Sequence, residues 1–223
     1  MPMIDARDER IAAAIAEQQS LRERVSLRDE FGDLQSVAGV DAGFECDGTV
    51  IRAAVVVLRF PELIPIDYAL VRRPVTFPYI PGLLAFREAP AIVAALHQLQ
   101  VMPDLVICDG QGIAHPRRCG IACHIGVLLD LPAIGCAKQR LWGHFTPPPP
   151  ERGARSALYD GQEQIGWALR TRADAQPVFV SPGHRVSLER APELVMACTT
   201  RFRLPETTRF AHRLASHGQL PLL

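Results

Sequence analysis

The sequence predicts an α/β fold with a mixed central sheet, in which three antiparallel strands precede βαβ units and helices flank the sheet. Three strand-like runs come first, and the Asp47-Gly48 pair between the first two is typical of a β-hairpin. Two short apolar runs then alternate with helical patterns, which indicates buried parallel strands joined by right-handed crossovers. The 223 residues, 48% of them hydrophobic, suffice for a single domain over residues 1–223 with a buried core.

The strands are predicted where apolar and β-branched residues cluster between turn residues. A second Asp-Gly pair, Asp160-Gly161, indicates another hairpin late in the chain. The predicted strands are Ser36–Phe44, Val50–Phe60, Ile64–Val71, Asp104–Cys108, Ala133–Ala137, Arg155–Tyr159, Glu163–Arg170 and Val178–Val180.

The helices are predicted from apolar residues that recur every three or four positions. Prolines make residues 72–82 irregular, and they make residues 147–150 a stiff surface loop. The first helix covers residues 5–26, with Ile11, Ala14, Ile15, Gln18 and Leu21 on one face. The later helices are predicted at Ala85–Leu99, Arg117–Leu129, Ser187–Ala197 and Pro205–Ser216.

The composition argues against a membrane or secreted protein. No apolar run approaches the roughly 18 residues that span a bilayer, and the acidic, polar start is unlike a secretory signal. We therefore expect a cytoplasmic protein, by default a monomer, whose six cysteines are reduced and mostly buried. The net charge of zero neither indicates nor excludes a nucleic-acid partner, because a local basic groove suffices for binding.

Three carboxylates are candidates for a metal site. Asp41 and Asp109 each follow a wholly apolar stretch, where a carboxylate is costly unless a cation compensates it. At the ends of neighbouring strands they would point at one spot, and Glu88 near the start of a helix could add a third oxygen ligand. The alternative is that both aspartates cap turns, since Asp109-Gly110 is itself a turn pattern.

Lys138 is the single lysine among 24 basic residues, and it follows a buried strand predicted to end at the same edge. A compact ammonium there can hold a phosphate or stabilise charge developing on it, although a solvated lysine remains the alternative. His115, Arg117 and Arg118 lie after the second aspartate and could contact phosphates, or merely be satisfied or solvated polar residues.

Residues 78–82 form a rigid proline-flanked segment that carries Tyr79 and Ile80. Such a segment can enter a base stack as a wedge and fill the gap left by a flipped nucleotide. The alternative is an ordinary proline-stiffened loop with a buried tyrosine.

Taken in order, these motifs resemble the endonuclease V family over roughly residues 10 to 215. The match is specific because several separate motifs occur in the same order. They are Val37-Ala38-Gly39-Val40-Asp41, Pro78-Tyr79-Ile80-Pro81-Gly82, Phe86-Arg87-Glu88, Asp109-Gly110-Gln111-Gly112, His115-Pro116-Arg117, Ala122-Cys123-His124-Ile125-Gly126, Ile134-Gly135-Cys136-Ala137-Lys138, Arg203-Leu204-Pro205-Glu206, Thr208-Arg209 and His212.

The resemblance implies a ribonuclease H-like core at about residues 30–140, with an additional hairpin and helices at 150–217. It also implies Mg²⁺-dependent hydrolysis, with Mn²⁺ able to substitute, of single- or double-stranded DNA that contains deoxyinosine. The cut would fall at the second phosphodiester on the 3′ side of the lesion and leave a 3′-hydroxyl and a 5′-phosphate.

The resemblance also implies roles for individual residues. Asp41, Glu88 and Asp109 would hold the metal, and Lys138 and His212 would be accessory catalytic residues. The wedge would be Pro78, Tyr79, Ile80 and Pro81, and the lesion pocket would be formed by Gly82, Leu84, Gly110, Gln111 and Ile113. The alternatives that stay open are an inosine-specific ribonuclease with the same site, a recognition module that does not cut, and an unrelated metal enzyme or structural protein.

Overall fold

The computed structural model describes residues 6–219, which form one eight-stranded mixed sheet with helices on both faces. The sheet order is β3-β2-β1-β4-β5-β8-β7-β6. The strands are β1 Ser36–Glu45, β2 Val50–Arg59, β3 Ile64–Pro74, β4 Leu105–Cys108, β5 Ala133–Ala137, β6 Arg155–Asp160, β7 Glu163–Leu169 and β8 Val178–His184. The helices are α1 Ala6–Glu23, α2 Leu84–Leu96, α3 Ile121–Leu129, α4 Arg190–Ala197 and α5 Glu206–His217.

The pairing within the sheet follows the predicted order. β1, β2 and β3 form an antiparallel meander, and a short 3₁₀ turn at Cys46–Gly48 joins the first two strands. β4 then pairs in parallel with β1, and β5 pairs in parallel with β4. β8, β7 and β6 continue the same sheet in antiparallel order, so the late hairpin extends the central sheet.

Successive residues of a strand point to opposite faces of the sheet, and each face packs into its own hydrophobic core. Ala38 and Val40 of β1 pack with α2 and α3, whereas Val37 packs on the opposite face with α4 and α5. The short strands β4 and β5 lie in the centre and are buried throughout. This burial explains why their sequences are continuously apolar instead of alternating.

Helix α5 packs against β1 so closely that only glycine fits at residue 39. A Cβ atom built on Gly39 would lie 2.0 Å from the carbonyl oxygen of Thr207 at the start of α5. Gly43, four residues further along the same strand, would bring its Cβ no nearer than 3.8 Å to any neighbour. The contact at Gly39 therefore sets how α5, and the side chains it carries, lie over the sheet.

Several predicted boundaries need correction. The helix predicted from Arg117 begins only at Ile121, because Arg118 takes a left-handed backbone conformation (φ 56°) within a turn. β3 continues to Pro74, so the first three residues of the predicted irregular stretch belong to the sheet. β8 continues through Pro182 to His184, because beyond Val180 it pairs with β5 alone and needs fewer backbone donors.

The remaining helix ends differ by a few residues. The first helix ends at Glu23, and its predicted start at residue 5 lies outside the described residues. α2 ends at Leu96, α4 begins at Arg190, and α5 spans Glu206–His217. None of the helices within residues 6–219 is both long and apolar enough to cross a membrane.

We predict that Gly39→Ala lowers the free energy of unfolding by about 3 kcal/mol or more, since the new methyl group must displace the backbone of α5. Gly43→Ala is the matched control in the same strand and should change stability by less than about 1 kcal/mol. Urea unfolding of the two variants measures this difference. Equal stabilities would contradict the close packing of α5 on β1.

Candidate active site

Two aspartates lie side by side where β1 and β4 stop pairing. Val40 and Cys108 are the last partners in the parallel register, and Asp41 and Asp109 come next along the chain. Glu88 approaches from the second turn of α2, which packs on this part of the sheet. β1 itself continues to Glu45 beside β2, so Asp41 lies within that strand and not at its end.

The three carboxylates influence one another electrostatically. Burial, and then the charge of Asp109, raises the pKa of Asp41, although His212 acts in the opposite direction. Burial, and then the charges of Asp41 and Asp109, together raise the pKa of Glu88 to about 8. A cation placed among these groups would favour their ionised forms and offset both effects.

Two basic side chains contact the aspartates directly. Lys138 Nζ donates to Asp109 Oδ2 at 2.5 Å, and His212 Nδ1 lies 2.8 Å from Asp41 Oδ2. The backbone of Lys138 is held in turn by Arg203, whose Nη2 donates to the Lys138 carbonyl oxygen at 2.6 Å. The single lysine of the sequence is therefore fixed beside Asp109, the carboxylate that follows β4.

The carboxylates do not yet converge as metal ligands. Within residues 6–219, no three His, Cys, Asp or Glu side chains lie close enough together to hold an ion. Asp41 and Asp109 point at His212 and Lys138, as mutually repelling carboxylates do when basic partners are in reach. The set still suits a hard cation, because it is composed of carboxylate oxygens whose desolvation and repulsion are incompletely compensated.

A cavity of about 290 Å³ lies next to this cluster and is small for a ligand site. Most of the predicted wedge and pocket residues meet there. Tyr79 is 67% exposed at its mouth, and Gln111 Oε1 is buried in its wall without a hydrogen-bond partner among the described residues. The lining residues are Gln18, Tyr79, Ile80, Pro81, Gly82, Leu84, Ala85, Gly110, Gln111, His115, Cys119, Gly120, Ile121, Gln139, Arg140 and Leu141.

One predicted pocket residue lies elsewhere. Ile113 is buried among Leu21, Cys119 and Cys123, behind the cavity wall, because the chain turns inward after Gln111. Ile121 and Leu141 also line the cavity, although no sequence pattern indicated them. Ile121 was hidden by the wrongly placed start of α3, and Leu141 lies in a loop without a regular pattern.

The three groups predicted to contact phosphates have partners inside the protein. Arg117 donates through Nη2 to the Gly82 carbonyl oxygen at 2.7 Å, and Arg118 forms ion pairs of 2.7 Å with Asp160 and Glu163. His115 accepts the Arg117 backbone N–H at Nδ1, so its Nε2–H donates to the Gly82 carbonyl oxygen at 3.0 Å. These internal bonds compete with the predicted phosphate contacts.

Burial and the nearby guanidinium groups lower the pKa of His115 to about 4, so the ring is neutral at pH 7. This neutral form agrees with the bonds of the ring, which require one nitrogen to accept and the other to donate. His115 is therefore a fixed, uncharged hydrogen-bond donor in the wall of the cavity.

Comparison with known proteins identifies the family. Residues 19–213 match the family model described as Endonuclease V. A relative named Endonuclease V from Roseiflexus sp. (strain RS-1) is 58% identical over 211 residues, which cover 95% of this chain and 94% of the relative. This chain belongs to the endonuclease V family.

Solved endonuclease V structures have the same fold. The crystal structure of Endonuclease V from Streptomyces avermitilis has a TM-score of 0.89 and 44% identity, and it covers 93% of this chain and 92% of its own. Endonuclease V of Ciona intestinalis, in complex with a 24mer DNA containing an inosine followed by a ribo-adenosine, has a TM-score of 0.82 and 27% identity, covering 95% and 98%. The predicted mixed α/β fold and family are confirmed, and membership of this family shows that the protein is a nuclease.

His124, on α3, is a buried histidine that should make the protein less stable in acid. Its ring packs edge-on against Phe86, its Nδ1 is buried without a hydrogen-bond partner among the described residues, and burial lowers its pKa to about 4. The unfolded chain binds a proton at this residue near pH 6.5, whereas the folded chain binds it only near pH 4. Stability is therefore lost as the pH falls through this window, by about 2 kcal/mol at pH 5.

We predict that His124→Met, which cannot titrate, loses about 2 kcal/mol less stability than the wild type between pH 7.5 and pH 5. Urea unfolding at the two pH values measures the difference, and His97→Met, at an exposed histidine, is the matched control. An identical loss in His124→Met and the wild type would show that the ring does not titrate in this way.

Proposed function

We propose that this protein is a metal-dependent DNA-repair endonuclease that cuts the second phosphodiester bond on the 3′ side of deoxyinosine. The products would be a 3′-hydroxyl and a 5′-phosphate. The observation that carries the proposal is the juxtaposition of three coupled carboxylates and Lys138 with a small cavity whose mouth presents an exposed tyrosine. The inosine-containing DNA bound by the Ciona intestinalis relative supports the substrate class.

Asp41, Glu88 and Asp109 would hold Mg²⁺, or Mn²⁺ in its place. When bound, the metal supplies a Lewis acid that favours attack by water and stabilises charge on the phosphate. The water oxygen bonds to phosphorus as the bond between phosphorus and the 3′-oxygen breaks, and that oxygen takes up a proton. The phosphate therefore remains on the 5′ end of the downstream strand.

Lys138 and His212 would assist at the same phosphate. The Lys138 ammonium, 2.5 Å from Asp109 Oδ2, would lie beside the carboxylates that hold the metal and could bind a phosphate oxygen there. His212 has a side chain that is 60% exposed and bonded to Asp41 Oδ2, so its ring can pass a proton between solvent and the reacting oxygens. Both roles use side chains that already contact the carboxylates.

The cavity would receive the flipped base. Gln111 Oε1 is a buried acceptor in its wall, and hypoxanthine carries a hydrogen on N1 that can donate to it. Adenine lacks that hydrogen and would leave the acceptor unpaired, which is costly in a buried site. Guanine has the hydrogen but also an exocyclic amine, which a closely fitting pocket wall would exclude by clash and by leaving polar groups unpaired.

Tyr79 would fill the gap that the flipped nucleotide leaves in the stack. Its ring is exposed at the mouth of the cavity on a segment stiffened by Pro78 and Pro81, so its position is largely fixed before DNA binds. Inosine pairs weakly, so its flipping costs less free energy than that of a normal base. The wedge and the pocket together would therefore distinguish deoxyinosine from the normal bases of an undamaged duplex.

A second candidate function is the same cleavage on inosine-containing RNA. The DNA bound by the Ciona intestinalis relative carries a ribo-adenosine after the inosine, so a ribose is accommodated next to the lesion in that protein. A module that recognises the lesion without cutting is less well supported, since Asp41, Glu88, Asp109 and Lys138 are all present and adjacent.

We expect magnesium-dependent nicking of a labelled duplex with one deoxyinosine, one nucleotide beyond the lesion, and no nick in the presence of EDTA.

Asp109→Asn should reduce the rate at least about a thousandfold, because it removes a carboxylate oxygen that would bind the metal and also the partner of Lys138, while lesion binding persists. Asp104→Asn, at an aspartate bonded to Ser36 away from the site, is the control. Near wild-type nicking by Asp109→Asn would refute the metal assignment. Cutting of an inosine-containing RNA strand, with no cutting of the deoxyinosine duplex, would establish the second candidate.

Tyr79→Ala should weaken cutting at deoxyinosine in duplex DNA by about ten- to a hundredfold, because stacking on an aromatic ring is worth about 1–3 kcal/mol. Binding to undamaged duplex should change much less, and Tyr79→Phe, which keeps the ring, should retain most of the activity. Gel-shift and nicking assays on matched duplexes measure both effects. Equal losses of affinity for damaged and undamaged duplex would rule out a wedge.

A further inference from the structure

The carbonyl oxygen of Gly82 accepts three side-chain donors at the inner end of the wedge segment, residues 78–82. The donors are Arg117 Nη2 at 2.7 Å, His115 Nε2 at 3.0 Å and Gln18 Nε2 at 3.2 Å. A carbonyl oxygen has two lone pairs, so three donors saturate it and hold it in one position. Gly82 has a φ of 79°, in the left-handed region, and a Cβ there would lie 2.9 Å from Arg117 Nη2.

Gln18 connects this point to the rest of the protein. Its side chain is almost completely buried on α1, and its Nε2 also donates to the carbonyl oxygen of Cys119 at 2.6 Å. Its Oε1 accepts from Arg117 Nε at 2.5 Å, so the same amide also orients the guanidinium that holds Gly82. One buried amide thus joins α1, the wedge segment and the loop before α3.

We propose that Gln18 is a positioning residue for the wedge, and that it acts by fixing Gly82 and thereby the direction in which Tyr79 projects. The inference rests on the proposed function of Tyr79 and the adjacent cavity. Tyr79 lies three residues before Gly82, with Pro81 between them, and 67% of its surface is exposed. A stiff segment of this kind transmits its anchorage at Gly82 to the exposed ring.

The amide side chain of Gln18 makes hydrogen bonds that an apolar core residue at the same position could not make. An apolar side chain at position 18 would continue the buried stripe formed by Ala14 and Leu21 and would satisfy the packing of α1. It would also leave Arg117 Nε and the Cys119 carbonyl oxygen without these bonds. A purely structural role predicts a loss of stability alone, whereas a positioning role predicts a specific loss on substrates that need the wedge.

The test compares Gln18→Met, which keeps the shape and removes the hydrogen bonds, with Gln19→Met at the exposed neighbouring position. Because a single strand has no base pair to open, the wedge matters chiefly in duplex DNA. Gln18→Met should lower kcat/KM for deoxyinosine in duplex by about tenfold, and in single-stranded DNA by less than about twofold. Gln19→Met should resemble the wild type on both substrates.

A double variant separates positioning from general destabilisation. In a Tyr79→Ala background the wedge ring is absent, so Gln18→Met should reduce duplex cutting by less than about twofold further. Independent, fully additive losses, or equal losses on duplex and single strand, would overturn the proposal. If Gln18→Met fails to fold, Gln18→Glu keeps the shape and the Arg117 bond while losing both donations, and it should show the same duplex-selective loss.

Hydrogen exchange tests the inference without relying on catalysis. Gln18→Met should speed amide exchange in residues 76–84 and leave β3 unchanged, whereas unchanged exchange in residues 76–84 would contradict the proposed anchorage. If the wild type fails to cut inosine-containing strands, the proposed function falls while the exchange result still decides the anchorage. If the wild type cuts and Gln18→Met behaves identically on all substrates, the inference alone falls.

Discussion

The parallel pairing of β1 with β4 is the constraint on which the candidate site depends. It is made by short apolar sequences that are buried on both faces, and it ends at Val40 and Cys108. The next residue in each strand is an aspartate, so the backbone register alone brings two carboxylates together at low solvent exposure. Their desolvation and repulsion are costs that folding alone does not offset, which is why charged partners gather around them.

The fold and the carboxylates could be predicted because they depend on local patterns. Apolar runs, Asp-Gly hairpins and ordered motifs locate the strands, and an acidic residue after a buried strand marks the sheet edge. The start of α3 could not be predicted, since it depends on the left-handed turn at Arg118. That error also concealed Ile121, because side-chain direction after a turn is set by tertiary contacts. Ile113, which the family resemblance assigned to the lesion pocket, packs behind the cavity wall.

Gln18 shows how a polar residue in an apolar stripe can be informative. The sequence places it on the same helical face as Ala14 and Leu21, and a buried amide there requires hydrogen-bond partners. Those partners lie 64 to 101 residues away, so no local pattern could have named them. Arg117 is similar: its position suggested a phosphate contact, but its guanidinium is bonded within the cavity wall. Both residues hold the carbonyl oxygen of Gly82, at the inner end of the wedge segment.

The most direct test of the account is to locate the metal. A crystal of the protein soaked in Mn²⁺ and measured near the manganese absorption edge shows bound manganese as an anomalous difference peak. We predict a peak among Asp41, Glu88 and Asp109, with Asp109 turned from Lys138 toward the ion, and no such peak in Asp109→Asn crystals. A peak only at other residues, or none at millimolar Mn²⁺, would contradict the assignment of these carboxylates as the metal site.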